Sequence, residues 1–272
     1  MRYIAFLPMY DMPGTRAHGD TLWSSLRDAL RAEGLAAPDA VERGLPRLQG
    51  WLHPDLLLGQ TCGLPYITRL CEAVELAGTP DYAVPGCPPG HYHSTLVVRA
   101  GDPRERLAQF EGAILALNGP PSQSGYGAIV RAAAPHARQR RFFGRALVAG
   151  SHTAAMRAVA DGVADIAAID SITWRMSLNA DAVTARLRPI GTTEPTPGLP
   201  FITSRSAPLA RVRAAVHAGI GALASPARKA FGLRGVADLG RADYTCIAEG
   251  LARAQAVHEL PELEWLAARP DD

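Results

Sequence analysis

The chain has 272 residues, 47% of them hydrophobic and 20% charged, which is enough apolar material for a packed core and excludes general disorder. Its formal charge is only +2 and the basic residues cluster only at Arg138, Arg140 and Arg141, too little for a nucleic-acid groove. Lys229 is the only lysine, and its place in an Ala/Arg-rich helix gives no support to Schiff-base chemistry.

The apolar run at residues 2–8 reads as a buried strand. Pro8 and Asp11 break it too early for a secretory signal. No stretch reaches the ~18 apolar residues of a membrane span, so the sequence reads as cytoplasmic, and as periplasmic only if an export signal has been removed. Residues 10–19 read as a loop, and a helix is expected over 20–33, capped by the Asp20 carboxylate. A strand at 56–58 ends in the small polar turn 59–63, and helical spacing follows over 64–74. The stiff Pro/Gly loop 85–90 leads into an alternating strand at 92–98.

From Gly101 the rhythm restarts with a short helix over 103–110, a strand at 113–117, a loop at 118–122 and a helix from about Ser124. A strand at 146–149, a turn at Gly150, a helix over 151–161, a strand at 164–169 and a helix from Asp170 come next. The Pro-rich stretch 191–198 precedes a strand at 199–203 and helices over 208–224, 226–231 and 243–258, with a tail expected to fray beyond Pro261. Alternation of strands and helices predicts an α/β protein with mostly parallel sheets flanked by helices.

Cys62, Cys71, Cys87 and Cys246 include no CxxC pair and read as reduced thiols. His91 and His93 are spaced for one strand face, but without an identifiable third ligand they read as two polar positions, and neither metal nor cofactor is expected. The strongest local feature is Asn118-Gly119-Pro120-Pro121-Ser122-Gln123-Ser124-Gly125-Tyr126-Gly127, between a strand and a helix. In a parallel sheet that junction lies at the carboxyl ends of the strands, where ligands bind. Ser122 and Ser124 supply hydroxyls, and Gly125 and Gly127 permit close approach of first-turn N–H groups. Together they suit phosphate, phosphonate, sulfate or carboxylate, although a plain Ser-capped helix has the same signature. Gly150-Ser151-His152-Thr153 and Ala168-Ile169-Asp170-Ser171 repeat the junction. His152 can donate to an anion or merely sit at a helix start; Asp170 can cap its own helix or receive an ammonium group.

The series 59–66 (Gly-Gln-Thr-Cys-Gly-Leu-Pro-Tyr), 92–98 (Tyr-His-Ser-Thr-Leu-Val-Val), Ser122-Gln123-Ser124-Gly125, Gly150-Ser151-His152 and 162–170 (Gly-Val-Ala-Asp-Ile-Ala-Ala-Ile-Asp) resembles the phosphonate-binding-protein family over about residues 3–225. These are solute-binding proteins of ABC transporters with the type II periplasmic-binding-protein fold. The resemblance implies one lobe from 1–96 and 194–272, an inserted lobe at 97–193, and hinges near 94–100 and 190–197. It implies that Ser122, Ser124 and Gly125 hold the anionic group, that His152 adds a hydrogen bond and that Asp170 faces the ligand's other end. Tyr10, Gln60, Thr61, Tyr92 and Ser94 would close from the first lobe. Gln123, Tyr126 and Ser151 stand beside these as further candidates; at Gln123 the family usually carries a hydroxyl residue. The implied partners are a small anionic ligand and an ABC permease or a regulatory protein, with neither nucleic acid nor membrane insertion. The other reading is a cytosolic enzyme of the same fold, a lyase, dehydratase or cofactor-biosynthesis type acting on a small anionic substrate.

Overall fold

The computed structural model describes residues 3–178 and 180–266. The chain divides into two compact units: residues up to Tyr92 with Pro197–Thr245, and His93–Thr196 with the stretch from Cys246 onward.

The first passage through unit 1 lays down β1 (Ile4–Phe6), α1 (Arg16–Ala32), α2 (Arg47–Trp51), β2 (Leu56–Gln60), α3 (Gly63–Pro65), β3 (Val74–Asp81) and β4 (His91–Tyr92). A π turn at Tyr66–Leu70 continues α3. Helix α1 starts earlier than expected because Pro13 opens a short 3-10 turn, Pro13–Thr15, that feeds directly into it. Asp20 therefore lies inside the helix and caps nothing; its carboxylate accepts from Arg43 at 2.6 Å. Strand β3 replaces the end of the helix expected over 64–74. Its Glu75, Gly78 and Pro80 disguise it as a loop.

The second unit contains β5 (Ser94–Arg99), β6 (Ile114–Leu117), a π turn at Gln123–Gly127 running into α4 (Ala128–Ala133), β7 (Arg145–Val148), α5 (His152–Ala160), β8 (Ile166–Asp170), α6 (Ser171–Ser177) and β9 (Leu187–Thr192), and the chain returns to unit 1 within β10 (Thr196–Pro197). The helix expected over 103–110 shrinks to a 3-10 turn at Leu107–Phe110. Upstream of it, the Asp102 carboxylate binds both the backbone N–H and the guanidinium of Arg104, which holds the chain as a loop. Strand β9 falls partly in the Pro-rich stretch and was not expected from its sequence.

The chain then adds β11 (Phe201–Ser204), α7 (Leu209–Ala222), α8 (Ser225–Phe231) and β12 (Gly235–Ala237) to unit 1. Helix α9 (Arg241–Val257) and β13 (Leu263–Trp265) follow. Residues after Cys246 belong to unit 2, not to the first unit as the sequence reading had it. The stretch expected to fray beyond Pro261 instead contains β13, whose Leu263, Glu264 and Trp265 pair in parallel with Ala146, Leu147 and Val148 of β7. Residues 267–272 of that stretch lie outside the described residues.

Both sheets are mixed, more so than the expected parallel arrangement. In unit 1 the order is β1-β2-β11-β3-β12, with β11 antiparallel to both neighbours. Helices α1 and α7 pack closely here: a Cβ at Gly219 would stand 2.9 Å from the Leu26 Cα, and Ser25 Oγ donates to the Gly219 carbonyl at 2.7 Å.

In unit 2 the order is β13-β7-β6-β8-β5-β9. Strands β13, β7, β6 and β8 run parallel, while β5 is antiparallel to β8, so that Ser94 at its start faces Asp170 at the end of β8. Alternate residues bury opposite faces. Leu96, Val98, Leu115, Leu117, Ile166 and Ala168 pack with Phe110, Phe142 and Phe143; Val97, Ala116, Leu147, Ala167 and Ile169 pack with Met156 and Val159 of α5. Two covered faces explain the unbroken apolar runs of these strands.

Candidate functional site

Three strand-to-helix junctions meet at the carboxyl edge of the unit 2 sheet. Strand β6 ends at Leu117, and Asn118 leads into the turn in which Ser122 caps the following helix, its Oγ accepting from the Gly125 N–H at 3.0 Å. Strand β7 leads to Ser151, which caps α5 by accepting from the Ala154 N–H at 3.0 Å. Strand β8 ends at Asp170, whose carboxylate accepts from the N–H groups of Ile172 and Thr173, each at 2.8 Å, and so caps α6. Of the two roles open to Asp170, the structure displays the cap.

Hydrogen bonds tie the first two junctions to each other and to β5. Ser94 Oγ donates to the Ser124 carbonyl at 2.8 Å, and Ser124 Oγ lies 2.9 Å from His152 Nε2. Ser122 Oγ is 3.3 Å from Ser124 Oγ, and Asn118 Nδ2 is 3.2 Å from His152 Nε2. Ser94, Gln123, Ser124 and Asp170 are all buried. Gly125 makes the packing possible: a Cβ there would fall 2.0 Å from Asn118 Oδ1 and 3.3 Å from His152 Cε1. The π turn at Gln123–Gly127 widens the first turn at this point, a distortion common at functional sites.

No charged side chain occurs between Ala113 and Gly127 or between Ala149 and Met156, so the cluster offers hydroxyls, an amide and an imidazole rather than an arginine or lysine. Arg99, Arg104 and Arg188 lie toward the opposite strand ends. There Arg104 holds the Asp102 carboxyl down to about 2 and stacks over Phe110 at 4.0 Å. Burial raises the Asp165 carboxyl, but a bond from the Ile114 N–H and the Arg104 and Arg99 guanidiniums outweigh it and leave it lowered.

Of the sequence candidates, Ser94, Ser122, Ser124, Gly125 and His152 are brought together, with Ser151 and Asp170 capping the adjoining helices. Tyr126 departs: its hydroxyl accepts from Gln255 Nε2 at 3.0 Å and its ring packs against the core, because two residues along a helix turn it away from Ser124. Asn118 and Thr193 were not singled out as site residues. Asn118 is the first residue past β6, a position that marks it once the strand end is known. Thr193 Oγ1 accepts from the Ser94 N–H at 2.9 Å, and its own N–H donates to the Ser94 carbonyl at 2.9 Å.

In unit 1, Gln60 Nε2 donates to Tyr82 Oη at 2.8 Å and to the Leu199 carbonyl at 3.2 Å. Tyr10 meets Tyr82 edge-on, ring centroids 5.4 Å apart. Tyr10 and Gln60 line a hollow of about 20 Å³ with Asp11, Arg43 and Phe231, room for a single water-sized group. Thr61 and Tyr92 are fully buried, and the Thr61 N–H donates to the Pro200 carbonyl at 3.1 Å. His91 Nδ1 lies 3.0 Å from the Pro89 carbonyl. Among the described residues no group of three or more His, Cys, Asp or Glu could hold a metal ion, and no helix is long and apolar enough to cross a membrane.

Comparison with solved structures places the fold. PhnD1 of Prochlorococcus marinus, in complex with methylphosphonate, superposes with a TM-score of 0.74 at 12% identity, covering 93% of this chain and 98% of that one. XAC2383 of Xanthomonas citri, bound to ATP, gives 0.68 at 17% identity over 95% and 100%. MatC of Rhodopseudomonas palustris, with bound malate, gives 0.62 at 12% identity over 95% and 99%. These likenesses establish the type II periplasmic-binding-protein fold. No curated protein sequence matches the chain. Residues 69–244 match the family model described as ABC transporter, phosphonate, periplasmic substrate-binding protein. With well over half its length inside that match, the chain belongs to the phosphonate-binding family of ABC-transporter solute-binding proteins.

Proposed function

We propose that this chain binds a small phosphonate, phosphate or related oxyanion or carboxylate, and that Ser122, Ser124, Gly125 and His152 hold the anionic group. The observation that supports this most is the chain Ser94–Ser124–His152, its two serines buried and its histidine half-buried, in which polar donors without formal charge converge at helix starts on the carboxyl edge of a sheet. Hydroxyls and an imidazole reorient toward an arriving oxyanion, and helix N-termini favour negative charge. Ser94 and Asp170 shape the edge, while Tyr10, Gln60, Thr61 and Tyr92 form a second candidate set in unit 1. The partner in this reading is the ABC permease that the family serves, in the compartment the family description names.

Binding is favoured over nucleophilic catalysis by the family match, which is to substrate-binding proteins.

A thermal-shift screen tests the reading with inorganic phosphate, methylphosphonate, sulfate, malate and ATP, anions of the classes seen with the structural neighbours. A ligand present at 100 times its Kd stabilises the native state by about 2.7 kcal/mol. One class is expected to raise Tm in a saturable way, with the rise lost in Ser124→Ala. A flat response to every anion overturns the assignment.

A further inference from the structure

We propose that anion binding draws a proton from solvent onto His152, so that the site supplies its own positive charge; this deepens the anion-binding reading and rests on it. In the structure two groups converge on one imidazole nitrogen. Asn118 Nδ2, which can only donate, is 3.2 Å from Nε2, and Ser124 Oγ is 2.9 Å from it. With a donor-only amide beside it, Nε2 is an acceptor and the ring is neutral. An anion at Ser124 changes that balance. The serine hydroxyl then turns its hydrogen to the ligand and leaves its lone pairs facing Nε2. Asn118 Oδ1, buried and without a hydrogen-bond partner among the described residues, can replace Nδ2 by rotation of the amide. Both neighbours of Nε2 have then become acceptors and call for an N–H there; the neutral ring can provide it by moving its proton from Nδ1, and it is the negative charge of the bound anion that favours adding a second proton from solvent to give the imidazolium ion.

The charged groups on the surrounding elements do not supply this charge. The junction after β6 has none, and β8 contributes Asp170, whose negative charge favours the imidazolium. Arg99 on β5 and Asp165 before β8 pair at the opposite strand ends, as does Arg188 of β9 through the Asp102 and Arg104 carbonyls. Arg157 and Asp161 lie farther along α5 and pair with Asp181 and Arg186. Arg131 of α4 and Arg175 of α6 carry fixed positive charge that binding does not change, so His152 is the cluster's titratable cation.

The test is calorimetric titration of the full chain with methylphosphonate at pH 7.5 in two buffers of different ionisation enthalpy, for the native protein and His152→Gln. The imidazole ¹⁵N resonances distinguish a proton on His152 from one on the ligand. The native chain is expected to take up more protons per ligand than the variant, by a sizeable fraction of one. Equal proton counts overturn the proposal. Imidazole ¹⁵N resonances of His152 in the native chain give a second readout should the variant bind too weakly: saturating methylphosphonate is expected to move them to imidazolium values, and unchanged neutral values overturn the proposal. Absence of binding by methylphosphonate and by every other anion of the thermal-shift screen would be a failure of the anion-binding reading itself, and would overturn this inference with it, whereas binding without proton uptake defeats only the inference.

Discussion

Ser124 and His152, 28 residues apart in sequence, meet at 2.9 Å between Ser124 Oγ and His152 Nε2. Each stands in the first turn of a helix, so the contact joins two helix starts that the sequence leaves unrelated. Removing the hydroxyl leaves a bound anion short of a hydrogen bond, which costs about 1–3 kcal/mol. Ser124→Ala is therefore expected to weaken anion affinity roughly 5- to 150-fold by titration calorimetry. An unchanged Kd would take Ser124 out of the site.

Gly125→Ala puts a methyl group where the Asn118 amide packs, 2.0 Å from Oδ1. Displacing Asn118 also loosens His152, so both stability and affinity should fall. Overpacking of this kind costs about 1–3 kcal/mol, readable by urea denaturation. Gly221→Ala, in helix α7 with open space around it, is the control and should stabilise by about 0.5–1 kcal/mol. Equal behaviour of the two variants would contradict the packing argument.

Asp170 separates capping from ligand contact. Asp170→Ala removes the acceptor for two backbone N–H groups and is expected to cost about 1–2 kcal/mol. Asp170→Asn keeps an acceptor oxygen and should restore most of that stability. If the Asn variant folds normally yet changes anion affinity, the carboxylate charge acts on the ligand; if affinity is untouched, the cap is its whole role.

His258 sets an acid limit. It is completely buried beside Phe143, and burial pushes its imidazole below the ordinary value of 6.5. Above that value both states are neutral and the full stability is present. As pH falls through it the unfolded chain binds a proton that the folded chain resists, so stability declines until the lowered folded pKa is passed. His258→Phe should flatten the stability profile below about pH 6.5, by up to about 1.4 kcal/mol per pH unit. Parallel profiles for native and variant would show that His258 does not titrate in that range.

The β-α rhythm of unit 2 was legible because Leu115 to Leu117, Ala146 to Val148 and Ile166 to Ile169 are apolar runs buried on both faces and closed by polar turns. The three junctions at Ser122, Ser151 and Asp170 followed from those runs. What escaped were the strands whose residues contradict strand propensity. Gly78 and Pro80 sit in β3, Pro189 and Gly191 in β9, and β13 is a three-residue edge strand of mixed polarity. Pairing with a neighbour holds each of them, and no local pattern announces a neighbour. Tyr126 was misplaced for a similar reason: adjacency to Ser124 in sequence says nothing about which way a helix turn points it. The bond between Ser124 and His152 needed coordinates, since nothing in either segment records the other.

The pairing of β13 with β7 has a consequence for biosynthesis. Residues Leu263–Trp265 emerge from the ribosome after everything else described, yet they close one margin of a sheet whose remaining strands are already made. Until β13 has been made, the backbone groups of β7 on that side face water, and nascent unit 2 carries an open template for pairing with another chain. The parallel edge of β7 is thus exchanged for a three-residue one, a poorer template for self-association, so that changes to Leu263–Trp265 act on assembly before they act on binding.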